Sequence, residues 1–387
     1  MAERAEFRIS ELAQLFDGPH ATPTRTTRGA YFLNISSLSD GRLDLTKSDH
    51  VSEEDFGKWT RRITPQSGDL LFSYETRLGE AALMPPGVRA CLGRRMALMR
   101  PDTEIVDPRF LLYLYLSPTF KRLIEKNTVH GATVNRIALS TMPAWKVHVP
   151  ALTEQRMIAA VLGSLDDKIA ANTKLVESLD QLADALMRSS ADGGSRSTLS
   201  LIAEVTMGSS PVGESLNEDG RGTVFFQGVR DFGVRFPKPR IWTEQVTRRA
   251  EAGDTLLSVR APVGRVNIAS GSICIGRGLA SVRSIVGQPS TLFNLLKSFP
   301  EIWAPFEAEG TVFGSINRAQ LEGIHLPNVN PAFASQLEIR LSGLEALIES
   351  SLSENQTLAE LRDTLLPELM SGRLRVTDAE KQIEEVL

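Results

Sequence analysis

The residues of this chain best equipped for recognition chemistry are arginines and carboxamides, and they fall in two separate blocks. The first block holds Arg25, Arg28, Arg61, Arg62, Arg77, Arg94, Arg95 and Arg136. The second holds Arg230, Arg235, Arg240, Arg248, Arg249, Arg260, Arg265, Arg277 and Arg318, with Lys238. A guanidinium is a planar fork of donors that suits phosphate and the O6/N7 edge of guanine. Asn34 and Gln227, at matching places in the two blocks, carry the amide whose donor and acceptor complement the adenine edge. Any one of these arginines is equally well explained as half of a surface ion pair. As two matched sets they point to double-stranded DNA.

Covalent chemistry has no comparable candidates. No glycine-rich loop is followed by Lys-Ser/Thr, so a phosphate cradle of the P-loop kind is not expected. Met84-Pro85-Pro86-Gly87 lacks the polar and aromatic partners of a methyltransferase segment and reads as a turn. His20, His50, His130, His148 and His325 are scattered, with no pair at metal-ligand spacing. Pro101-Asp102 with Glu104 looks like the opening of a nuclease motif, but no lysine follows in place. Asp166-Asp167 and Glu53-Glu54-Asp55 read as solvated faces. Cys91 and Cys274 read as small buried residues, too few for a disulfide framework, which suggests a reducing compartment with the cytoplasm as default. No catalytic residue, metal or cofactor is expected in this chain.

The elements that would position the arginines repeat. Five stretches recur in the same order. Ile9–Ala13 up to Gly18 matches Leu199–Ala203 up to Gly208. Tyr31–Ile35 matches Val224–Val229. Gly68–Ser73 through Gly79 matches Gly253–Ser258 through Gly264. Cys91-Leu92-Gly93-Arg94 matches Cys274-Ile275-Gly276-Arg277. Thr128–Gly131 with Asn135-Arg136 matches Thr311–Gly314 with Asn317-Arg318. Their period is half the chain, so this is a duplicated domain and not a solenoid. Within each copy, Asp69–Phe72, Thr255–Val259, Val263–Ala269 and Gly271–Ile275 read as strands, and Phe110–Ile124 and Ser290–Phe306 as short helices.

Each copy ends in a long helix, entered after Pro150 and Pro327. In the first, from about Thr153 to Arg188, the apolar stripe is Ile158, Leu162, Leu165, Ile169, Asn172, Val176, Leu179, Ala183 and Leu186. In the second it is Leu337, Leu341, Leu344, Ile348, Ser351, Asn355, Leu358, Leu365 and Leu369. Steps alternating between four and three are a coiled-coil seam, and an asparagine on such a seam can fix register. Residues 189–198, rich in Ser and Gly, have the composition of a linker. Connectivity then requires the helices to run antiparallel if their seams pair. The expected fold is α+β: two duplicated mixed α/β domains separated by a long antiparallel two-helix coiled coil, with an approximate twofold axis.

Charge agrees with local rather than general nucleic-acid binding. The net charge is −4, but residues 1–150 and 199–330 are mildly basic while the helical stretches between and after them are acidic. No apolar run is long enough to span a membrane, and Met1–Phe16 lacks the apolar core of a signal peptide.

The chain resembles the specificity subunit of type I restriction-modification systems. Pro150–Ile158 leading to Leu165–Ile169 looks like that family's central region, and Leu361–Leu374 like its C-terminal region. Gly208-Ser209-Ser210-Pro211 with Ala252–Leu257 and Gly264 looks like its target-recognition domain. Pro331–Gln336 departs from the pattern, lacking the Glu-Gln-Arg of Glu154–Arg156. The resemblance implies target-recognition domains at 1–150 and 199–330, conserved long helices at 151–188 and 331–371, a linker at 189–198 and a tail at 372–387. It implies that each recognition domain reads half of a bipartite, asymmetric DNA site, through the residues Arg25, Arg28, Asn34, Arg61, Arg62, Arg77, Arg94, Arg95 and Arg136, and Gln227, Arg230, Arg235, Lys238, Arg240, Arg260, Arg265, Arg277 and Arg318. The helices would set the unread gap and dock two DNA methyltransferase subunits, which would hold S-adenosylmethionine, and a restriction/translocase subunit would join. Two other readings of the same residues are a specificity subunit of a different methylation-based phage-defence system, and a coiled-coil scaffold with two protein-binding domains and no DNA contact.

Overall fold

The computed structural model describes residues 4–19, 21–131, 134–307 and 314–386. Its elements form two compact units, one made of Met1–Ala170 with Gln356–Leu387, the other of Ala171–Asn355. The architecture is α+β. His20 and the Thr311–Phe313 part of the fifth repeated stretch lie outside the described residues.

In the first unit an antiparallel sheet is ordered Ala13–Asp17, Met96–Pro101, Leu70–Ser73, Ala81–Leu83. A second sheet places Ala30–Leu33 between Asp49–Val51 and Ala90–Leu92, parallel to the latter, with Leu33 opposite Leu92. Leu70–Ser73 is buried on both faces, which is why it reads as a continuous apolar run rather than an alternation. The helices Pro108–Leu116 and Pro118–Lys126 pack on this sheet, each opening with proline at its first position and capped by Asp107 and Ser117.

The second unit repeats that plan. Its antiparallel sheet is ordered Ala203–Met207, Leu279–Ser284, Thr255–Ser258, Val266–Ile268. The parallel pair recurs as Thr223–Phe226 with Ile273–Ile275, here inside a five-stranded sheet. The helix Pro289–Ser298 takes the place of Pro108–Leu116. Matched side-chain bonds confirm the duplication in detail. Arg100 forks onto Asp69 at 2.9 and 2.7 Å, and Arg283 onto Asp254 at 2.7 and 2.9 Å. The glycines before these aspartates, Gly68 and Gly253, have φ of 88° and 84°, so the Gly-Asp signature is a turn followed by a buried acceptor.

The long helices are Leu152–Ser190 and Pro331–Ser371. Within the second unit they run antiparallel: Asn172 donates to Glu354 at 2.7 Å, Val176 and Leu179 pack with Ile348, and Ala183 and Met187 lie in one core with Leu341 and Leu337. Asn172 is thus a buried seam residue with its donor satisfied. The stripe expected from sequence holds except at three places, one of them the half-buried Asn355. Met187 rather than Leu186 is fully buried, and Leu344 is only half-buried.

Three local expectations are corrected. Pro327 lies in the strand His325–Val329, and the second long helix starts at Pro331. The stretch taken as a linker is a strand, Ala191–Thr198, antiparallel to His325–Val329 with a bulge between Asp192 and Arg196. It is the counterpart of Ala5–Arg8, which pairs with Lys146–Val149 in the first unit. A ladder is made by backbone groups, so Ser and Gly can supply it without an apolar pattern. Asn328 adds to it by donating to Ser195 at 2.5 Å. Finally, the tail contains an amphipathic helix, Val376–Val386, that buries Val376 and Ala379 in the first unit's core.

Candidate nucleic-acid interface

In each unit five loops converge at the ends of the parallel strand pair. In the first, the Gly18 amide donates to Met96 O at 2.9 Å, Tyr74 N to Arg95 O at 3.1 Å, and Thr76 N to Asn135 O at 3.2 Å. Arg77 Nη1 donates to Ile35 O at 3.0 Å, which ties in the loop after Asn34. The second unit is tied similarly, with two corrections to the sequence match: Asn135 corresponds to Gly314 rather than Asn317, and a backbone amide replaces the arginine that ties in the loop after the amide residue. Gly208 N donates to Leu279 O at 2.9 Å, Val259 N to Gly278 O at 3.0 Å, Ala261 N to Gly314 O at 3.0 Å, and Gly278 N to Gln227 O at 3.1 Å.

Glycine is required at the centre of each cluster. A Cβ on Gly93 would lie 2.0 Å from the backbone oxygen of Leu33, and in the second unit it is Gly278 whose Cβ would meet backbone, Gln227 O at 2.4 Å, while one on Gly276 would meet only side-chain atoms. The neighbouring Gly208 would meet Gly276 O at 2.1 Å. Close backbone approach is therefore what Gly93 provides in the first copy and Gly208 and Gly278 in the second, and in both copies the arginine that follows Cys-x-Gly is left at the rim. Cys91 lies beneath, its thiol pushed up to about 12 by burial, which leaves it protonated and unreactive.

The arginines expected to meet DNA divide into three groups. Arg28, Arg61, Arg94, Arg136, Arg230, Lys238, Arg260, Arg265 and Arg277 are exposed, with no carboxylate at ion-pair distance among the described residues. Arg94 and Arg136 belong to the first loop cluster, and Arg260 and Arg277 to the second. A second group is exposed or half-exposed but paired: Arg25 with Asp49, Arg62 with Asp17, Arg77 with Glu80, Arg95 with Glu75, Arg240 with Asp231 and Arg318 with Glu322. Such surface pairs are weak enough for a phosphate to compete.

Arg235 stands alone and corrects the sequence reading. It is 2% exposed and its guanidinium is consumed by Glu345 and Asp180 at 2.7 and 2.9 Å. The amides also differ from expectation. Both ends of Asn34 are engaged, Nδ2 with Lys47 O at 2.7 Å and Oδ1 with Ser36 N at 2.8 Å, so it shapes its loop as a helix cap. Gln227 is exposed, with Oε1 accepting from Ser210 at 2.7 Å. Asn317, grouped with Arg318 in the sequence, caps the helix Arg318–Glu322.

Sequence reasoning missed Lys58 and Trp59. They end the helix Glu53–Trp59 and line, with Arg61, Arg62 and Gly18, a cleft of about 240 Å³ beside the first loop cluster. The available signal was the N-cap Ser52 followed by three acids, which marks a helix start rather than a mere solvated run. At the far end of the strand Thr255–Ser258 from the second cluster, Asp254 is held below the usual carboxylate range. Burial alone would raise it, but hydrogen bonds from Arg283, the Glu251 amide and Ser281 outweigh that cost.

Residues 2–181 match the model of the type I restriction modification DNA specificity domain. A type I restriction enzyme MjaX specificity subunit of Methanocaldococcus jannaschii is 29% identical over 96% of this chain and 94% of its own length. The chain is thus similar over nearly its whole length to a type I restriction enzyme specificity subunit, and its first part matches the type I specificity domain. The HindI specificity subunit of Haemophilus influenzae is also 29% identical, over 24% of this chain and 21% of its own. The solved S subunit of the type I restriction-modification system from M. genitalium shares the fold, with a TM-score of 0.63 at 16% identity over 95% of this chain and 96% of that one. No helix among the described residues is long and apolar enough to cross a membrane.

Proposed function

We propose that each unit reads one half of a bipartite, asymmetric DNA site through its loop cluster, and that this chain supplies recognition rather than catalysis. The observation that carries this is the duplicated cluster itself. The same loop scaffold occurs twice, with an arginine at the matched positions 94 and 277 and different residues beside it: Glu75 opposite Arg136 in one unit, Arg260 opposite Ser315 in the other. Two matched scaffolds with unlike side chains fit two unlike half-sites, so no palindrome is needed. Arg61 and Arg28 in the first unit, and Arg230, Lys238 and Arg265 in the second, extend the basic rim toward phosphates. Four or five bidentate base contacts at roughly 1–3 kcal/mol each would supply the roughly 4–10 kcal/mol that separates specific from non-specific binding.

In this reading residues 1–150 and 199–330 are the recognition domains, with 191–198 joined to the second by its strand ladder. The long helices set the unread gap and carry two methyltransferase subunits, which bring the S-adenosylmethionine, and a translocating restriction subunit joins the assembly. Docking has support on the helices of the second unit. Leu175 and Leu182 each precede a seam residue by one position, as Leu347 does, and they are 46%, 47% and 54% exposed. Leucines left open on one flank of a helix pair are what a further helix would cover.

The reading is tested by exchanging residues 199–326 for the same block of a relative and mapping methylation across the host genome. One half of the recognised site should change while the other half and the gap stay. A change in both halves would refute independent reading by the two units.

A further inference from the structure

Asp166 and Glu345 hold equivalent places on the two long helices. Asp166 is eight residues beyond the seam residue Ile158, and Glu345 eight beyond Leu337. Each accepts a hydrogen bond from the short helix packed beside it. Tyr113 donates to Asp166 at 2.6 Å and Asn294 to Glu345 at 3.0 Å, each donor five residues past the proline that opens its helix. Each also takes an arginine from the segment that follows the first strand of the parallel pair. Arg42 donates to the Asp166 carbonyl at 3.2 Å, with its carboxylate at 3.8 Å. Arg235 forks onto Glu345 at 2.7 and 3.1 Å. Arg42 and Arg235 stand eight residues beyond Asn34 and Gln227.

The same constellation has therefore been built twice from three separate segments. The other long helix completes it with opposite charge: Arg362 on Asp166 at 2.8 Å in the first unit, Asp180 on Arg235 at 2.9 Å in the second. In the second unit the arginine of the clamp is buried, while Glu345 and Asp180 keep 12% and 34% of their side chains exposed. Arg235 also lies over Phe293, 4.7 Å from the ring centroid, and Lys297 reaches Asp180 at 2.5 Å. Between Asp231 and Arg240 the chain forms no strand; its backbone is held to Asn267 and Ile268 of the sheet, and the Arg235 side chain ties it to the long helices.

A buried ion pair is a poor way to gain stability, because desolvation offsets most of the attraction. A bidentate arginine–carboxylate pair is, however, a good way to fix distance and orientation. We propose that Arg235, and Arg42 in the first unit, are positioning residues for half-site reading: they lock the segment beside the reading loops onto the long helices, and so set where along the duplex each half-site is read. This rests on the two-half-site reading given above and adds the residues that determine its spacing. Arg235 contacts no base in this role, and its loss acts on gap length rather than on base identity.

The test uses the full chain co-expressed with its methyltransferase subunit and a plasmid library. Bases in both half-sites vary, and the gap is native or one base pair shorter or longer. Methylation is read by sequencing. Three variants are compared: Arg235→Lys, Arg235→Met, and Arg235→Met combined with Asp180→Asn and Glu345→Gln. The last removes both carboxylates together with the guanidinium, leaving only the partly exposed Lys297 without its partner, and keeps the experiment decisive if Arg235→Met alone fails to fold. The combined variant should keep the base preferences of both half-sites and lose its preference for the native gap by about tenfold, the worth of one misplaced base contact. Lysine, a point charge without the fork, should fall between it and the parent. An unchanged gap preference in the folded combined variant overturns the proposal, and so does a change in the bases of the second half-site, which would make Arg235 a base-contacting residue. Failure of the underlying reading shows separately, as a parent chain that directs no methylation to any bipartite site.

Discussion

Arg277 and Arg235 have the same side chain, lie in the same unit and read alike in the sequence, yet the fold gives them opposite tasks. Arg277 lies between two glycines in a tightly packed loop, and it is left exposed at the rim with no carboxylate at ion-pair distance among the described residues. Arg235 has both arms of its fork committed. The consequence for Arg277→Ala is specific. In the assembled complex it should weaken binding to the cognate duplex by roughly 1–3 kcal/mol and relax only the second half-site. Anisotropy titrations at several salt concentrations check this. A uniform loss over all sequences, with the log–log salt slope reduced by about 1, would instead mark Arg277 as a phosphate contact.

Among the elements, the long helices carry the clearest division of labour. In the second unit Asp180 and Glu345 each follow a seam residue by one position and meet Arg235, so that flank of the pair faces the recognition segment. Leu175, Leu182 and Leu347 each precede a seam residue and occupy the other flank. Leu182→Glu should therefore abolish co-purification of the methyltransferase while shifting the stability of the isolated chain by no more than about 0.5 kcal/mol, as for other exposed positions. Retained co-purification would move the docking surface elsewhere. The strand Ala191–Thr198 teaches a different lesson about elements. Its partner strand, not its own composition, orders it, and its equivalence to Ala5–Arg8 makes a stretch that looks like a hinge part of the second sheet framework.

For the molecule as a whole, the repeat and the ruler are separable ideas and call for separate tests. Inserting one heptad into both long helices keeps their seams in phase and lengthens each by about 10 Å, roughly three base pairs of B-DNA. Methylome sequencing of a host carrying this variant should show both half-sites unchanged and a wider gap. An unaltered gap would refute spacing by the helices and leave recognition by the two loop clusters intact.

Much of this was legible before any coordinates. The duplication, the α+β class, the seams and the resemblance to specificity subunits all follow from local regularities: residue order, heptad steps, and glycines where backbones must approach. Tertiary structure alone decided which guanidiniums face water. Whether Arg235 is buried depends on carboxylates at positions 180 and 345, and whether residues 191–198 are ordered depends on a strand at 325–329. Spacing along a chain carries periodicity, and it carries no record of which distant groups will close around a charge or complete a ladder.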